Sequence, residues 1–256
     1  MEKYFPKTKE ELEKLVDDET IYLGDIDVSK ITDMSHLFYK STRKDFSGIE
    51  KWDTSKVKSM TFMFYGVRNF NQPIGGWDTS SVKDMSAMFC GASSFNQNIS
   101  GWDTSSVENM SWMFKNAKSF NQPIGDWNVS SVKNISSMFH NASSFNQDIG
   151  SWDTSKVEYM YAVFWLATAF NQNISGWDTS SVKDMSFMFC NAVNFSQPIG
   201  DWDTSSVESM SAMFCGASSF NQNISKWDTK EVSNAEDIFK NCPISEENKP
   251  SEYRRI

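Results

Sequence analysis

A tryptophan recurs at intervals of 25 residues through most of this chain of 256 residues. The interval never changes, and only Trp112 and Trp165 lie outside the series. Its members are Trp52, Trp77, Trp102, Trp127, Trp152, Trp177, Trp202 and Trp227. A constant period of this length is the signature of a stacked-repeat architecture, in which each unit contacts only its neighbours. The repeat therefore constrains the fold more strongly than length or composition does.

Each unit divides into three segments. The first, I-x-x-W-D-T, alternates locally, with Trp102 and Thr104 on one face and Asp103 on the other, which is typical of a short strand. The second, S-S-V-x-x-M-x-x-M-F, places apolar residues such as Val82 and Met85 at helical spacing. It ends at glycine or asparagine in all but one unit, which predicts a left-handed residue after a helix. The third, A-x-x-F-N-Q, reads as a return turn.

These segments predict an α/β solenoid, a right-handed stack similar to leucine-rich repeats, with a parallel β-sheet on one side and short helices on the other. Thr8 and Glu11 fit a capping box, so a helix over about Lys9 to Asp17 is expected to cover the first unit. The predicted division is a capping helix in residues 1–20, nine units in 21–244 and a polar tail in 245–256, which we expect to be frayed. Because tryptophan shares its strand face with threonine, the tryptophan column is predicted to be an internal ladder.

Composition excludes several classes of protein. The net charge of −9 and pI of about 4.8 argue against a nucleic-acid surface and against docking on anionic lipid. No apolar run reaches the length of a membrane-spanning helix, so no membrane insertion is expected. The first 15 residues lack the apolar region of a signal peptide, which predicts a cytoplasmic protein or one from which an export signal has been removed.

No catalytic constellation is found in the sequence. The two histidines, His36 and His140, lie four units apart, and no Ser/His/Asp trio follows from the spacing. The four cysteines match no metal motif or disulfide framework. We therefore predict a protein that is not an enzyme and that carries no cofactor, with calcium as the single candidate considered below.

The unit V-x-x-M-x-x-M-F-x-x-A-x-x-F-N-Q-x-I-x-x-W-D-T-S resembles the BspA-like leucine-rich-repeat surface proteins of bacteria. It is most similar to their 25-residue variant, a domain of unknown function first noted in mycoplasmas. The resemblance extends from about Ile26 to Asn241 and holds in nearly every unit. It implies a cell-surface or secreted location and an adhesive role, and it implies no catalytic residues.

One column of the repeat is acidic, because aspartate follows the tryptophan slot in all complete units but the one with Asn128. Its members are Asp53, Asp78, Asp103, Asp153, Asp178, Asp203 and Asp228. Carboxylates about 4.8 Å apart repel one another and need a counterion, which favours a cation (calcium) site or a face for a basic partner. Alternatively, each aspartate accepts hydrogen bonds from backbone amides two or three residues later, as in an Asx turn. The second interpretation is the simpler one.

A few units depart from the repeat by carrying extra aromatic residues. Phe62, Trp112 and Phe187 stand where most units have alanine or serine. The unit that follows Trp152 adds Tyr159, Tyr161, Trp165 and Leu166. Grouped surface aromatics are typical of a contact surface, although local repacking of a modified turn would also explain them.

Three functions follow as hypotheses. The first is a non-enzymatic scaffold for protein–protein or host-surface interaction, with an unidentified protein or glycan partner. The second is a calcium-binding structural solenoid that uses the aspartate column. The third is an intracellular structural protein that self-associates.

Overall fold

The computed structural model describes residues 3–254, in which successive 25-residue units stack on one another. Within that range the α-helix is α1 (Lys9–Asp17), and the remaining helical elements are single 3₁₀ turns. These turns are Leu23–Asp25, Ile49–Lys51, Glu246–Asn248 and Ser251–Tyr253. In the described part of the chain, no helix is long and apolar enough to cross a membrane.

Helix α1 has the predicted bounds and the predicted cap. The Thr8 hydroxyl accepts a hydrogen bond from the Glu11 amide at 3.3 Å, and the Glu11 carboxylate accepts one from the Lys7 amide at 2.6 Å. The first bond satisfies an amide that has no partner within the first turn of a helix, and the second ties the residue before the N-cap to that turn. Leu12 and Val16 are buried against the first unit, so the helix covers the exposed end of the stack.

The predicted helices in the repeat are wrong, because the backbone there bonds to the neighbouring unit instead of along its own axis. The amides of Met60, Phe62, Phe64 and Gly66 each donate to the carbonyl 24 residues later, at 2.7–3.1 Å. The amides between them close consecutive turns, such as that of Met63 onto the Met60 carbonyl at 3.2 Å. Apolar spacing of three and four residues therefore produces a run of turns with one buried side.

The glycine and asparagine column is left-handed, as predicted, but it ends a turn and not a helix. The members with positive φ are Lys40, Gly66, Gly91, Asn116, Asn141, Leu166, Asn191, Gly216 and Asn241. Another column with positive φ lies four residues earlier in each unit, and the sequence did not predict it. This column, the first left-handed column, consists of His36, Phe62, Ala87, Trp112, Ser137, Ala162, Phe187, Ala212 and Asp237. Positive φ at the third position is what a type II turn requires.

The predicted strands around tryptophan are also wrong. The Trp102 amide donates to the Ile99 carbonyl at 3.2 Å and closes a turn. Side chains of Asn98 and Asp103 each accept the amide two residues later, at 2.9 Å, so turns stand on both sides of the indole. Apart from a parallel bridge between Tyr4 and Ile26 at the start of the stack, parallel pairing occurs elsewhere, at one residue per unit, in the segment predicted to be helical. The paired residues are Asp33, Ser59, Asp84, Asn109, Asn134, Tyr159, Asp184, Ser209 and Asn234.

The core contains three aromatic ladders that run the length of the stack, packed among buried isoleucine, valine and methionine side chains. Every tryptophan of the column is at most 5% exposed, and six neighbouring pairs stack with ring centroids 6.2–6.5 Å apart. The other two ladders are phenylalanines, represented by Phe114 and Phe120, whose rings stack at 3.9 Å within one unit. The Trp127 indole also donates to the Ile99 carbonyl at 3.2 Å, so its polar atom is satisfied inside the core. The chain is thus a tandem-repeat protein with regular aromatic stacking.

Glycine and serine alternate in one column according to the residue that faces them in the next unit. A Cβ added at Gly125 would lie 2.5 Å from the carbonyl oxygen of Asp148, and the same contact limits the other glycines of the column. Glycine stands at positions 75, 125, 150 and 200, where the facing residue is Asn98, Asp148, Asn173 or Asn223. Serine stands at positions 100 and 175, where the equivalent residue of the next unit is Pro123 or Pro198. Ser225 faces Asn248 of the terminal turns, so the steric contact accounts for the four glycines of this column and not for every serine.

The end of the chain packs instead of fraying over the described residues up to 254. The Ile224 amide donates to the Asn248 carbonyl at 2.9 Å, and the Tyr253 ring lies 6.2 Å from Phe239 in an edge-on contact. Pro250 is buried as well. Two 3₁₀ turns thus cover the last unit, where polar composition alone predicted disorder. The prediction for residues 255 and 256 lies outside the described residues.

Candidate interaction face

The three aromatic residues that replace alanine or serine all belong to the first left-handed column. Phe62, Trp112 and Phe187 have φ of 56°, 62° and 59°. Trp112 is 42% exposed, whereas Phe62 and Phe187 are half-buried. Ala87 and Ala162 are buried at the same turn position, so the larger side chains extend outward from it. These residues define one side of the stack, which we name the aromatic face.

At its N-terminal end the aromatic face carries a cluster of four rings. Phe62 stacks on His36 at 4.9 Å, and Tyr39 stacks on Tyr65 at the same distance. Phe62 and Tyr65 are 5.6 Å apart, which joins the two pairs. The ammonium group of Lys40 lies 5.1 Å from the Tyr39 ring and 6.0 Å from the Tyr65 ring. Cation–π attraction at these distances holds a positive charge over the cluster.

A second cluster lies in the unit that departs most from the repeat. The Trp165 ring stacks on His140 at 4.4 Å and lies 5.2 Å from Phe187, which Tyr161 meets edge-on at 5.7 Å. Leu166 is half-buried beside them and keeps the left-handed conformation with φ of 59°. Three of the predicted contact residues, Tyr161, Trp165 and Phe187, are therefore brought together.

Trp112 and Tyr159 occupy separate places. Trp112 lies between the two clusters, with the ammonium group of Lys115 4.7 Å from its ring. Tyr159 is 47% exposed but belongs to the column of parallel pairing, seven residues before Leu166. Of the exceptions that the sequence grouped, the structure brings Tyr161, Trp165 and Phe187 together and keeps Trp112 and Tyr159 apart. The helices on which the sequence placed them do not form.

Sequence reasoning missed four members of these clusters. Tyr39, Tyr65 and His140 stand, like Trp165, immediately before the glycine and asparagine column, and His36 belongs to the first left-handed column. Aligning the units at that column and comparing the preceding residue would have found the first three. The stacking across units depends on the distance between units, which no single unit encodes.

The aspartate column has the geometry of Asx turns. Asp103 Oδ1 accepts hydrogen bonds from the Ser105 hydroxyl at 2.6 Å and from the Ser105 amide at 2.9 Å. The same pair of bonds recurs in the units of Asp53, Asp78, Asp153, Asp178 and Asp203 and in that of Asn128. The serine hydroxyl and then the serine amide hold the pKa of Asp103 below its usual value.

Three findings bear on a cation at this column. The Asp228 carboxylate accepts a hydrogen bond from the Lys230 amide and lies 3.3 Å from the Lys230 ammonium group, so it has a counterion. Asn128 makes the same turn without a charge. Among residues 3–254, no three side chains of histidine, cysteine, aspartate or glutamate are grouped as a metal site requires. The geometry therefore supports the turn interpretation of the column.

The model of one protein family matches the chain three times, at residues 1–105, 93–191 and 145–252. Its description is "Mycoplasma protein of unknown function, DUF285". The chain belongs to the DUF285 family. No curated protein and no solved structure matches it. The mycoplasma part of the resemblance is thereby confirmed, and the BspA-like part stays a prediction.

In this DUF285 chain, His140 is a neutral member of the second cluster. Its Nδ1 atom is buried and has no hydrogen-bond partner within the described residues. Burial, and then the positive charge of Lys115, lower the pKa of His140 to about 4. The imidazole therefore stays uncharged near neutral pH and packs against Trp165 as an apolar ring.

We expect His140→Phe to reduce the loss of thermal stability on mild acidification of this DUF285 protein. The folded pKa of His140 is below the unfolded value, so its contribution to stability is present above about pH 6.5 and is lost as the pH falls toward 4. Melting temperatures at about pH 7 and about pH 5, compared for the two proteins, test this. Equal losses in both proteins would contradict a buried neutral imidazole.

Proposed function

We propose that this chain is a non-enzymatic scaffold that binds a protein or a host surface through the aromatic face, in the manner of an adhesin. The observation that carries the proposal is the 42% exposure of Trp112, which lies between two ring clusters. The alanine or serine that other units carry at this position would not form such clusters. Large exposed aromatic side chains are enriched at the energetic centres of protein interfaces. The unit needs none of them to fold, because alanine and serine occupy the same position elsewhere.

The finer classification belongs to this proposal. We place the stack among right-handed solenoids and among BspA-like surface proteins, and we expect the molecule to act at a cell surface. The stacking of units at a constant period supports the solenoid class, and the sequence of the unit supports the BspA-like relationship. The proposed classification does not include the regular helices and the β-sheet of leucine-rich repeats.

A triple variant, Phe62→Ala, Trp112→Ala and Phe187→Ala, tests the proposal. Alanine already stands at this turn position in Ala87, Ala162 and Ala212, so the variant should fold. We expect the labelled variant to lose binding to cultured host cells, because the aromatic anchors are gone while the charge is unchanged. Flow cytometry measures the binding, and sedimentation velocity shows whether the native protein self-associates instead.

The matched control changes the aspartate column to asparagine, a residue that the repeat also uses there. In Asp78→Asn, Asp103→Asn and Asp178→Asn, each new residue reproduces the turn seen at Asn128. This variant should bind cells as the native protein does. Equal binding by the aromatic triple variant, or a loss confined to the aspartate variant, would show that the aromatic face is not the binding surface.

A further inference from the structure

Over seven consecutive units the aromatic face is free of acidic residues, although the chain as a whole has a net charge of −9. Beyond those units, Asp237 occupies the first left-handed column, and Glu13 and Asp17 lie beside His36 and Tyr39. The turn and return segments of seven consecutive units are residues 61–72, 86–97, 111–122, 136–147, 161–172, 186–197 and 211–222. They contain no aspartate or glutamate, and their charged residues are Arg68, Lys115 and Lys118. In these seven units the acidic residues are therefore confined to the other segments, and the turn and return segments carry only positive charge.

An open groove of about 680 Å³ runs along this acid-free side over the N-terminal half of the stack. The charged residues that line it are Lys40, Arg68 and Lys118, all of which are exposed. None of the three takes part in an ion pair between residues 3–254. Clefts lined by one sign of charge concentrate ligands of the opposite sign.

We propose that this groove binds an extended acidic peptide segment of a partner protein. Arg68 and Lys118 are two units apart, which corresponds to about 10 Å at the spacing of parallel chains. In a peptide of polyproline II conformation, residues three apart lie on the same side and are separated by about 9 Å. Two carboxylates at that spacing could each meet one cation. The Asn141 side chain donates to Asn116 Oδ1 at 2.8 Å, which leaves the Asn116 amide nitrogen as a donor and Asn141 Oδ1 as an acceptor for the peptide backbone.

The ring geometry favours a peptide over a single-stranded nucleic acid. Single-stranded nucleic acid binds through bases stacked on open aromatic faces. Beside the groove, Tyr65 is already stacked on Tyr39, and Lys40 lies over both rings. Lys115 likewise covers one face of Trp112. A polyphosphate would also meet the repulsion of the net negative charge, whereas a short acidic segment engages only the groove.

The probe is an acetylated, amidated hexapeptide with glutamate at its first and fourth positions and tyrosine at its third and sixth. We expect calorimetry to show binding that weakens between about 20 mM and about 200 mM sodium chloride. The double variant Arg68→Gln, Lys118→Gln should bind about tenfold more weakly or worse, since two charge-assisted contacts are lost. The control double variant Lys56→Gln, Lys156→Gln removes the same charge from exposed lysines in the acid-bearing segment and should change affinity less than about twofold.

The outcomes separate this inference from the proposed function on which it rests. Binding of the glutamine analogue of the peptide as tightly as the acidic one would overturn the inference, as would equal losses in the two double variants. Tighter binding of oligouridylate or of a sulfated oligosaccharide at the same residues would also overturn it. If the peptide fails to bind while the aromatic triple variant still loses cell binding, the inference is wrong and the proposed function stands.

Discussion

Replacing Trp127 with alanine is expected to lower the free energy of unfolding by about 3–5 kcal/mol. The side chain is 3% exposed, stacks on Trp102 with ring centroids 6.4 Å apart and packs against Phe114 at 6.2 Å. Its removal loses buried apolar area and leaves a cavity between ladders that cannot collapse without breaking the register of the units. Chemical denaturation followed by circular dichroism measures the change.

Trp112→Ala is the matched control for Trp127→Ala. The substitution is identical, but Trp112 is 42% exposed and occupies a turn position that alanine fills in other units. We expect its unfolding free energy to stay within about 0.5 kcal/mol of the native value. Equal effects of the two substitutions would mean that the tryptophan column contributes no more to stability than a surface residue.

Gly125→Ala should destabilise the protein by about 1–3 kcal/mol, although it adds a single methyl group. The new Cβ would lie 2.5 Å from the Asp148 carbonyl oxygen and 3.6 Å from its carbon, both in the backbone of the next unit. Neither atom can move without shifting the neighbouring unit. Differential scanning calorimetry should show a lower melting temperature.

Gly101→Ala separates this contact from the general effect of replacing glycine. A Cβ at Gly101 would meet no atom within 4 Å. Because alanine has fewer unfolded conformations than glycine, this control should be neutral or stabilising by about 0.4–1 kcal/mol. A loss of stability in Gly101→Ala as large as in Gly125→Ala would exclude the steric explanation.

The sequence predicted those features of the fold that a single unit determines. The Thr8 cap of α1, the inward position of tryptophan and threonine, and the left-handed glycine and asparagine column all follow from local chemistry. Strand and helix were assigned wrongly because alternation around Trp102 and apolar spacing around Met85 fit more than one backbone. The hydrogen bonds that select the observed backbone join residues 24 apart, so no window within a unit contains both partners.

The candidate site was predictable to a similar degree. Departures from the repeat pointed to Trp112, Trp165 and Phe187, and these residues lie on one side of the stack. His36, which stacks on Phe62, and His140, which stacks on Trp165, were dismissed because each was judged within its own unit. The aspartate column was identified from the same alignment, and the local alternative, the Asx turn, describes its geometry. The groove required knowledge of which segments share a side, which the predicted helices obscured.

The contact between the glycine column and the following unit restricts how such a chain can change in length. Removal of 25 residues that include Asp148 and Gly150 would place Gly125 opposite Asn173, which preserves an existing combination. Removal of the unit with Pro123 and Gly125 would place Ser100 opposite Asp148, a combination found at no pair of complete units in residues 3–254. In-frame duplication and loss of units should therefore be tolerated at some boundaries of the gene and selected against at others. The order of the units therefore depends on which units are sterically compatible as neighbours, as well as on common descent.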